Sequence, residues 1–100
     1  MKFERIKPGM VLYERHKHRM GNTTLRTLGE WSVRIVSIDE HGAMASWNGN
    51  APQRWFRNKL EKMTTWSMHD DCAEVVRGMF DCVVSVKLKK GHRAPEPKAP

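Results

Sequence analysis

Four side chains of the types that bind zinc lie in the second half of the chain: His69 and Cys72, then Cys82 and His92. Two thiolates and two imidazoles make a tetrahedral ligand set. Their spacing argues against a site. Zinc fingers bring their ligands in two closely spaced pairs, and here only the first pair is close. Cys72 also falls on an apolar stripe, where a thiol behaves as a small hydrophobe. No metal is assigned, and none is expected to be needed for folding. Nucleophilic catalysis has less support still. His69, Asp70 and Cys72 are neighbours in sequence, but adjacency is not a triad, and no Ser or Cys sits in a nucleophile elbow. The carboxylate pairs Asp39-Glu40 and Asp70-Asp71 suit a turn and a helix cap better than general acid–base work. No glycine-rich phosphate loop is present. The expectation is a protein that is not an enzyme and holds no cofactor.

The cations form a stronger pattern. There are 18 Lys and Arg against 11 Asp and Glu, a formal charge of +7. They are unevenly spread: Met1 to Ile35 carries eight basic and three acidic residues, whereas His69 to Asp81 carries four acidic residues against Arg77 alone. Arg15-His16-Lys17-His18-Arg19 is one dense basic run, and Arg54, Arg57 and Lys59 flank Trp55 and Phe56. Lys and Arg neutralise phosphates, and an exposed indole stacks on a base. The expected nucleic-acid-binding face is therefore Arg15, Lys17, Arg19, Arg54, Trp55, Arg57 and Lys59, with Trp55 near its centre. The plain alternative is that Trp55 belongs to the core and the charges form a solvated face, since +7 also serves solubility in a domain this small. A different class of function is a protein-binding adaptor or inhibitor. The mixed-sign surface and the acidic stretch from Asp70 to Glu74 suit a partner of complementary charge.

These residues need elements to carry them. Trp31, Val33 and Ile35 alternate with Ser32 and Arg34, a period of two, and Val36 and Ile38 then add apolar groups on the other face. Asp39 to Gly42 is a turn cluster. Ala43, Ala45 and Trp47 make a second alternating strand. Asn48-Gly49 is a hairpin signal, because a type I′ turn needs positive φ at both central residues. A third strand runs from about Ala51 to Phe56, and Pro52 puts its start at a sheet edge. Upstream, Met10 to Tyr13 opens a first strand, and His16 to Glu30 reads as a long loop without strong periodicity. Downstream, Arg57 to Met63 reads as a single helical turn with Leu60 and Met63 pointing inward, and Thr64 to Met68 as another strand. Cys72, Val75, Val76, Met79 and Phe80 fall at helical spacing and predict a helix from about Asp70 to Met79. Cys82 to Leu88 returns to period two. Trp31, Val33, Ile35, Trp47 and Leu60 are the expected shared core.

Strand, long loop, strand, hairpin, strand, single helical turn and strand is an order similar to that of SH3-like barrels, a class that includes Tudor-type and KOW-type modules. The resemblance spans about Pro8 to Met68. It is carried by KPGMVLY, the long loop, WSVRIVSID, the Asn48-Gly49 hairpin and RNKLEKM. It shows neither the aromatic cage of Tudor-type methyl-ligand readers nor the short KOW signature. It implies a mainly β fold, a small antiparallel barrel with one short C-terminal helix and an extra strand, and a binding face beside the long loop. The chain has the style of a small bacterial or phage protein.

Length bounds the rest. One hundred residues suit one domain, taken as residues 1–91, with a proline-rich disordered tail over 92–100. No apolar run approaches the roughly 20 residues of a membrane span, and the N-terminus lacks the apolar segment of a secretory signal. Two cysteines are too few for a disulfide scaffold and suit the cytoplasm. Composition leaves the oligomeric state open.

Overall fold

Alternation, not helical spacing, sets almost all of the regular structure. The computed structural model describes residues 2–19 and 25–93. After a short 3₁₀ turn at Phe3–Arg5 come β1 (Val11–Arg19), β2 (Arg26–Ile38), β3 (Gly42–Trp47), β4 (Gln53–Phe56), the one-turn helix α1 (Arg57–Leu60), β5 (Ala73–Arg77) and β6 (Val83–Leu88). The first four strands form one antiparallel sheet in chain order, and β5 pairs with β6 in a separate antiparallel hairpin. The fold is mainly β with one short helix. Among the described residues the sheet does not close into a barrel. The segment after α1 meets the outer edge of β1 at a single bridge, where Tyr13 and Thr64 exchange backbone bonds of 2.8 and 3.1 Å. The strand expected over Thr64 to Met68 reduces to that bridge.

The inner face of the sheet follows from its register. Leu12 pairs with Val33, Val33 with Trp47, Ile35 with Ala45, and Ala43 with Trp55. Residues paired across strands share a face, so these side chains meet in one cluster, with Phe3, Ile6, Leu60 and Met63 closing it. Leu12, Val33, Ile35 and Leu60 are wholly buried, each contributing about 1.5–3 kcal/mol over an exposed position. Ile38 joins them because of a β-bulge: between Ile35 and Ser37 the register on β2 advances two residues while β3 advances one. The extra residue shifts the phase of the strand. Val36 is the residue left outside, half-exposed, and Ile38 packs on the same core as Ile35 instead of on the opposite face. At the next turn the Asp39 carboxylate accepts from the backbone N–H of His41 at 2.8 Å and of Gly42 at 3.0 Å. Gly42 is required there for space, since a Cβ would lie 2.0 Å from the carbonyl oxygen of Trp55. Asn48 and Gly49 take φ of 51° and 78°, as the type I′ reading requires.

Three expectations are corrected. The long loop from His16 to Glu30 is instead a β-arm: β1 continues to Arg19 and β2 begins at Arg26, paired from Arg15↔Glu30 out to Arg19↔Arg26. Alternation was hidden because both faces of this arm carry polar residues. The helix expected from Asp70 to Met79 is instead the strand β5 followed by a 3₁₀ turn at Met79–Asp81. Val75-Val76 is β-branched and stiff at χ1. Gly78 interrupts any helix, and β6 follows closely enough to pair. Asp70 caps a turn rather than a helix, accepting from the N–H of Ser67 at 2.8 Å. Finally, Trp31 lies outside the core cluster, whereas Val33, Ile35 and Leu60 lie in it and Trp47 packs against it. Most of the proline-rich tail, residues 94–100, lies outside the described residues. No helix among the described residues is long and apolar enough to cross a membrane.

Candidate nucleic-acid interface

The seven residues expected to bind nucleic acid fall into two places with opposite electrostatics. At the β4–α1 corner, strand alternation turns Trp55 inward and Phe56 outward. Trp55 is 8% exposed and belongs to the core, so its faces are closed to a base. Its outer side is capped by Lys59, whose Nζ lies 4.9 Å from the ring centre, and its indole N–H is buried without a partner. The cations around it are paired. Arg54 forms a bidentate ion pair with Asp39, one arm at 2.8 Å. Arg57 sits over the Phe3 ring and contacts Glu4 at 3.3 Å and Glu61 at 3.6 Å. Lys59 contacts Glu14 at 3.6 Å. The Arg54 guanidinium, with the N–H groups of His41 and Gly42, holds the Asp39 carboxyl below the usual carboxylate range. Phe56 is 64% exposed, with Arg54 over its ring at 5.9 Å.

The other three residues lie along β1, and they too divide. Arg15 is an internal staple. It ion-pairs with Glu30 at 2.8 Å, the two side chains only 11% and 8% exposed. It also donates to Thr64 Oγ1 at 2.9 Å and to the carbonyl of Trp66 at 2.6 Å, and lies 4.3 Å over the Trp66 ring. Glu30 in turn accepts from Ser67 Oγ and the N–H of Met68. This network ties the segment after α1 onto the arm, and the one donor of Arg15 it leaves unpartnered, Nε, is buried, out of reach of a phosphate. Lys17 and Arg19 are exposed and, among the described residues, make no ion pair. Arg26, which the sequence did not single out, stands directly opposite Arg19. The structure therefore brings Lys17, Arg19 and Arg26 together on one face of the arm. It brings neither Arg54 nor Arg57 into contact with them.

The opposite face of the same arm carries a ladder of rings. His16 stacks on Trp31 with centroids 4.1 Å apart and planes 14° apart, and Trp31 stacks on Trp47 at 5.7 Å and 25°. His18 meets Trp31 edge-on at 5.8 Å. Alternation makes the ladder: Glu14, His16 and His18 face Trp31, Gly29 and Thr27 across the strand pair. Gly29 leaves room for it, since a Cβ there would lie 2.5 Å from Trp31 Cη2 and 2.8 Å from His18 Cδ2. Glu14 anchors its base by accepting the Trp47 indole N–H at 3.0 Å. The signal that could have found these residues is the alternation of His with Lys and Arg in Arg15-His16-Lys17-His18-Arg19, together with Gly29-x-Trp31.

The residues considered for zinc are scattered by exposure: His69 and His92 exposed, Cys72 half-buried, Cys82 buried. Among the described residues no group of three or more His, Cys, Asp or Glu gathers at one point. Comparison of the chain with protein-family models, with curated proteins and with solved structures gave no match.

Proposed function

We propose that the protein is a non-enzymatic basic module that binds nucleic acid through the arm formed by β1 and β2. The layout suggested for it is SH3-like, with the Thr64 bridge standing where the closing strand would be. One observation carries the functional reading. Arg19 and Arg26 face each other directly across the arm with Lys17 beside them, and no described carboxylate neutralises them. Like charges directly opposite each other destabilise a strand pair, and a phosphate between them removes that cost. The β4–α1 corner, in contrast, has already spent its cations on Asp39, Glu4, Glu61 and Glu14. The test is a pair of charge reversals read by retention on nucleic acid across a salt series. Lys17→Glu with Arg19→Glu and Arg26→Glu is expected to abolish retention. Arg54→Glu with Arg57→Glu is expected to leave most of it. The reverse outcome returns the site to the corner and removes it from the arm.

A second reading, an adaptor or inhibitor that docks on another protein, has its own observation. The tip of the β5–β6 hairpin holds Met79 and Phe80 at 74% and 75% exposure, with Phe80 at a φ of 55°. A bulky side chain in the left-handed region costs on the order of 1–2 kcal/mol, and the ring that bears this cost is exposed. Pull-down with and without nuclease separates the readings. A protein captured irrespective of nuclease, and lost on Met79→Ser with Phe80→Ser, favours the adaptor.

A further inference from the structure

The arm has two different faces, and one flexible ligand can use both. We infer that the ligand is a single-stranded nucleic acid that wraps the free edge of β1, with its phosphates on Lys17 and Arg19 and one unpaired base stacked on the outer face of His16. This rests on the nucleic-acid reading of the arm and specifies its ligand. β1 is the outermost strand of its sheet, and the pairing seen on its outer edge is the bridge at Tyr13. Beyond Tyr13, from His16 to Arg19, that edge is open among the described residues. Successive side chains of a strand point to opposite faces, so Lys17 and Arg19 lie on one side of this edge and His16 and His18 on the other.

The rings are already arranged as a stack. His16 covers Trp31, and Trp31 covers Trp47, with planes within 14° and 25° of parallel. Trp31 is enclosed between its neighbours, so the open end of the ladder is His16, whose side chain is exposed. A base placed there extends the ladder by one step, and every base has a π-face suited to this. In a duplex the bases stack on one another, so a duplex offers this site only its backbone. A single strand bends round the edge and presents phosphate to one face and base to the other. The ladder is fixed before any ligand arrives, by the space at Gly29 and by the Glu14–Trp47 bond. Little ordering of the site then remains to be done on binding.

The test uses the full chain and three labelled ligands of equal length: a short oligothymidine strand, an abasic strand carrying the same phosphates, and a duplex. The expected result is that the oligothymidine binds about ten-fold tighter than the abasic strand, the gain of one stacked base, and that the duplex binds no tighter than the abasic strand. His16→Ala removes the difference between oligothymidine and abasic strand while leaving abasic affinity and its salt slope unchanged. His16→Phe retains the difference. Phe56→Ala, at the exposed aromatic of the β4–α1 corner, changes nothing. Thermal melts of the two His16 variants show that the exposed position has not altered the fold. Equal binding of oligothymidine and abasic strand, an equal loss for both in His16→Ala, or a preference for duplex overturns the inference while leaving the arm as a phosphate site. Absence of binding to all three ligands overturns the reading of the arm itself, and this inference with it.

Discussion

The arm and the β4–α1 corner are built from the same residue types and end in opposite states. Each carries three or more cations beside tryptophan and a second ring. At the corner, alternation sends Trp55 into the core, and Arg54, Arg57 and Lys59 each find a carboxylate. On the arm, alternation places Lys17, Arg19 and Arg26 on one face and the His16–Trp31–Trp47 ladder on the other, and among the described residues only Arg15, nearest the body, is ion-paired. Composition therefore does not distinguish a charged surface that stabilises the fold from one that is available to a ligand. Register distinguishes them, because it decides which carboxylates come within reach of which cations.

The largest effect expected from this contrast is at Trp55. Trp55→Ala removes a buried ring and should cost about 3–5 kcal/mol, read as a lowered denaturant midpoint. Stability like that of the parent would mean that the corner tryptophan is not a core residue and that the two regions are alike after all. Next comes Arg15, the cation of the arm that the fold consumes. Arg15→Ala leaves Glu30 nearly buried and uncompensated, a loss of about 3 kcal/mol. The paired replacement Arg15→Met with Glu30→Leu should recover only part of it: an apolar pair avoids the desolvation of both charges, but leaves Ser67, the Met68 N–H and the Trp66 carbonyl without these partners. If the single variant is as stable as the parent, the staple between the arm and the segment after α1 contributes nothing.

The free cations should behave in the opposite way. Lys17→Ala, Arg19→Ala or Arg26→Ala should each change stability by no more than about 0.5 kcal/mol. Each should flatten the salt dependence of nucleic-acid binding by about one unit where the residue meets a phosphate. A stability loss like that of Arg15→Ala at any of the three would show it to be structural.

The sequence made the strands over Trp31 to Phe56 readable because apolar and polar residues contrast along them and Asn48-Gly49 marks the turn. It hid the arm for a physical reason: hydrophobic periodicity needs one wet and one dry face, and from His16 to Arg19 both faces are polar. It misled at Cys72 to Phe80 because those apolar spacings also satisfy a helical stripe. There the β-branched pair Val75-Val76 and Gly78 were the better guides. The bulge at Val36 was misread for another reason, since apolar Val36 and Ile38 after Ile35 fit a strand with two apolar faces as well as one whose phase shifts by a residue. The candidate site was legible in part. Lys17 and Arg19 stand exposed, but the parity that turns Trp55 inward and sets Arg26 against Arg19 depends on pairings that only the register supplies.

The smallest effect expected is at the corner's own ion pair, and it sharpens the contrast through pH. Asp39 has its carboxyl held below the usual range, chiefly by the Arg54 side chain and then by the His41 N–H. A carboxylate whose folded value lies below its unfolded one contributes stability that is fully present above the unfolded value, about 3.9 for Asp. That contribution is lost as pH falls through the lowered folded value. Asp39→Asn keeps an oxygen to accept from the turn N–H groups but removes the charge. The variant should therefore be slightly less stable than the parent at pH 7, with the gap closing as pH falls below about 4. Lys17, Arg19 and Arg26 have no carboxylate partner among the described residues, so alanine at those positions should leave the shape of the acid limb unchanged. Denaturant midpoints of the parent, Asp39→Asn and the arm triple-alanine variant, measured across this pH range, decide the matter. A gap at Asp39 that persists undiminished in acid, or an acid limb altered by the arm variant, would show that pairing does not separate the two regions.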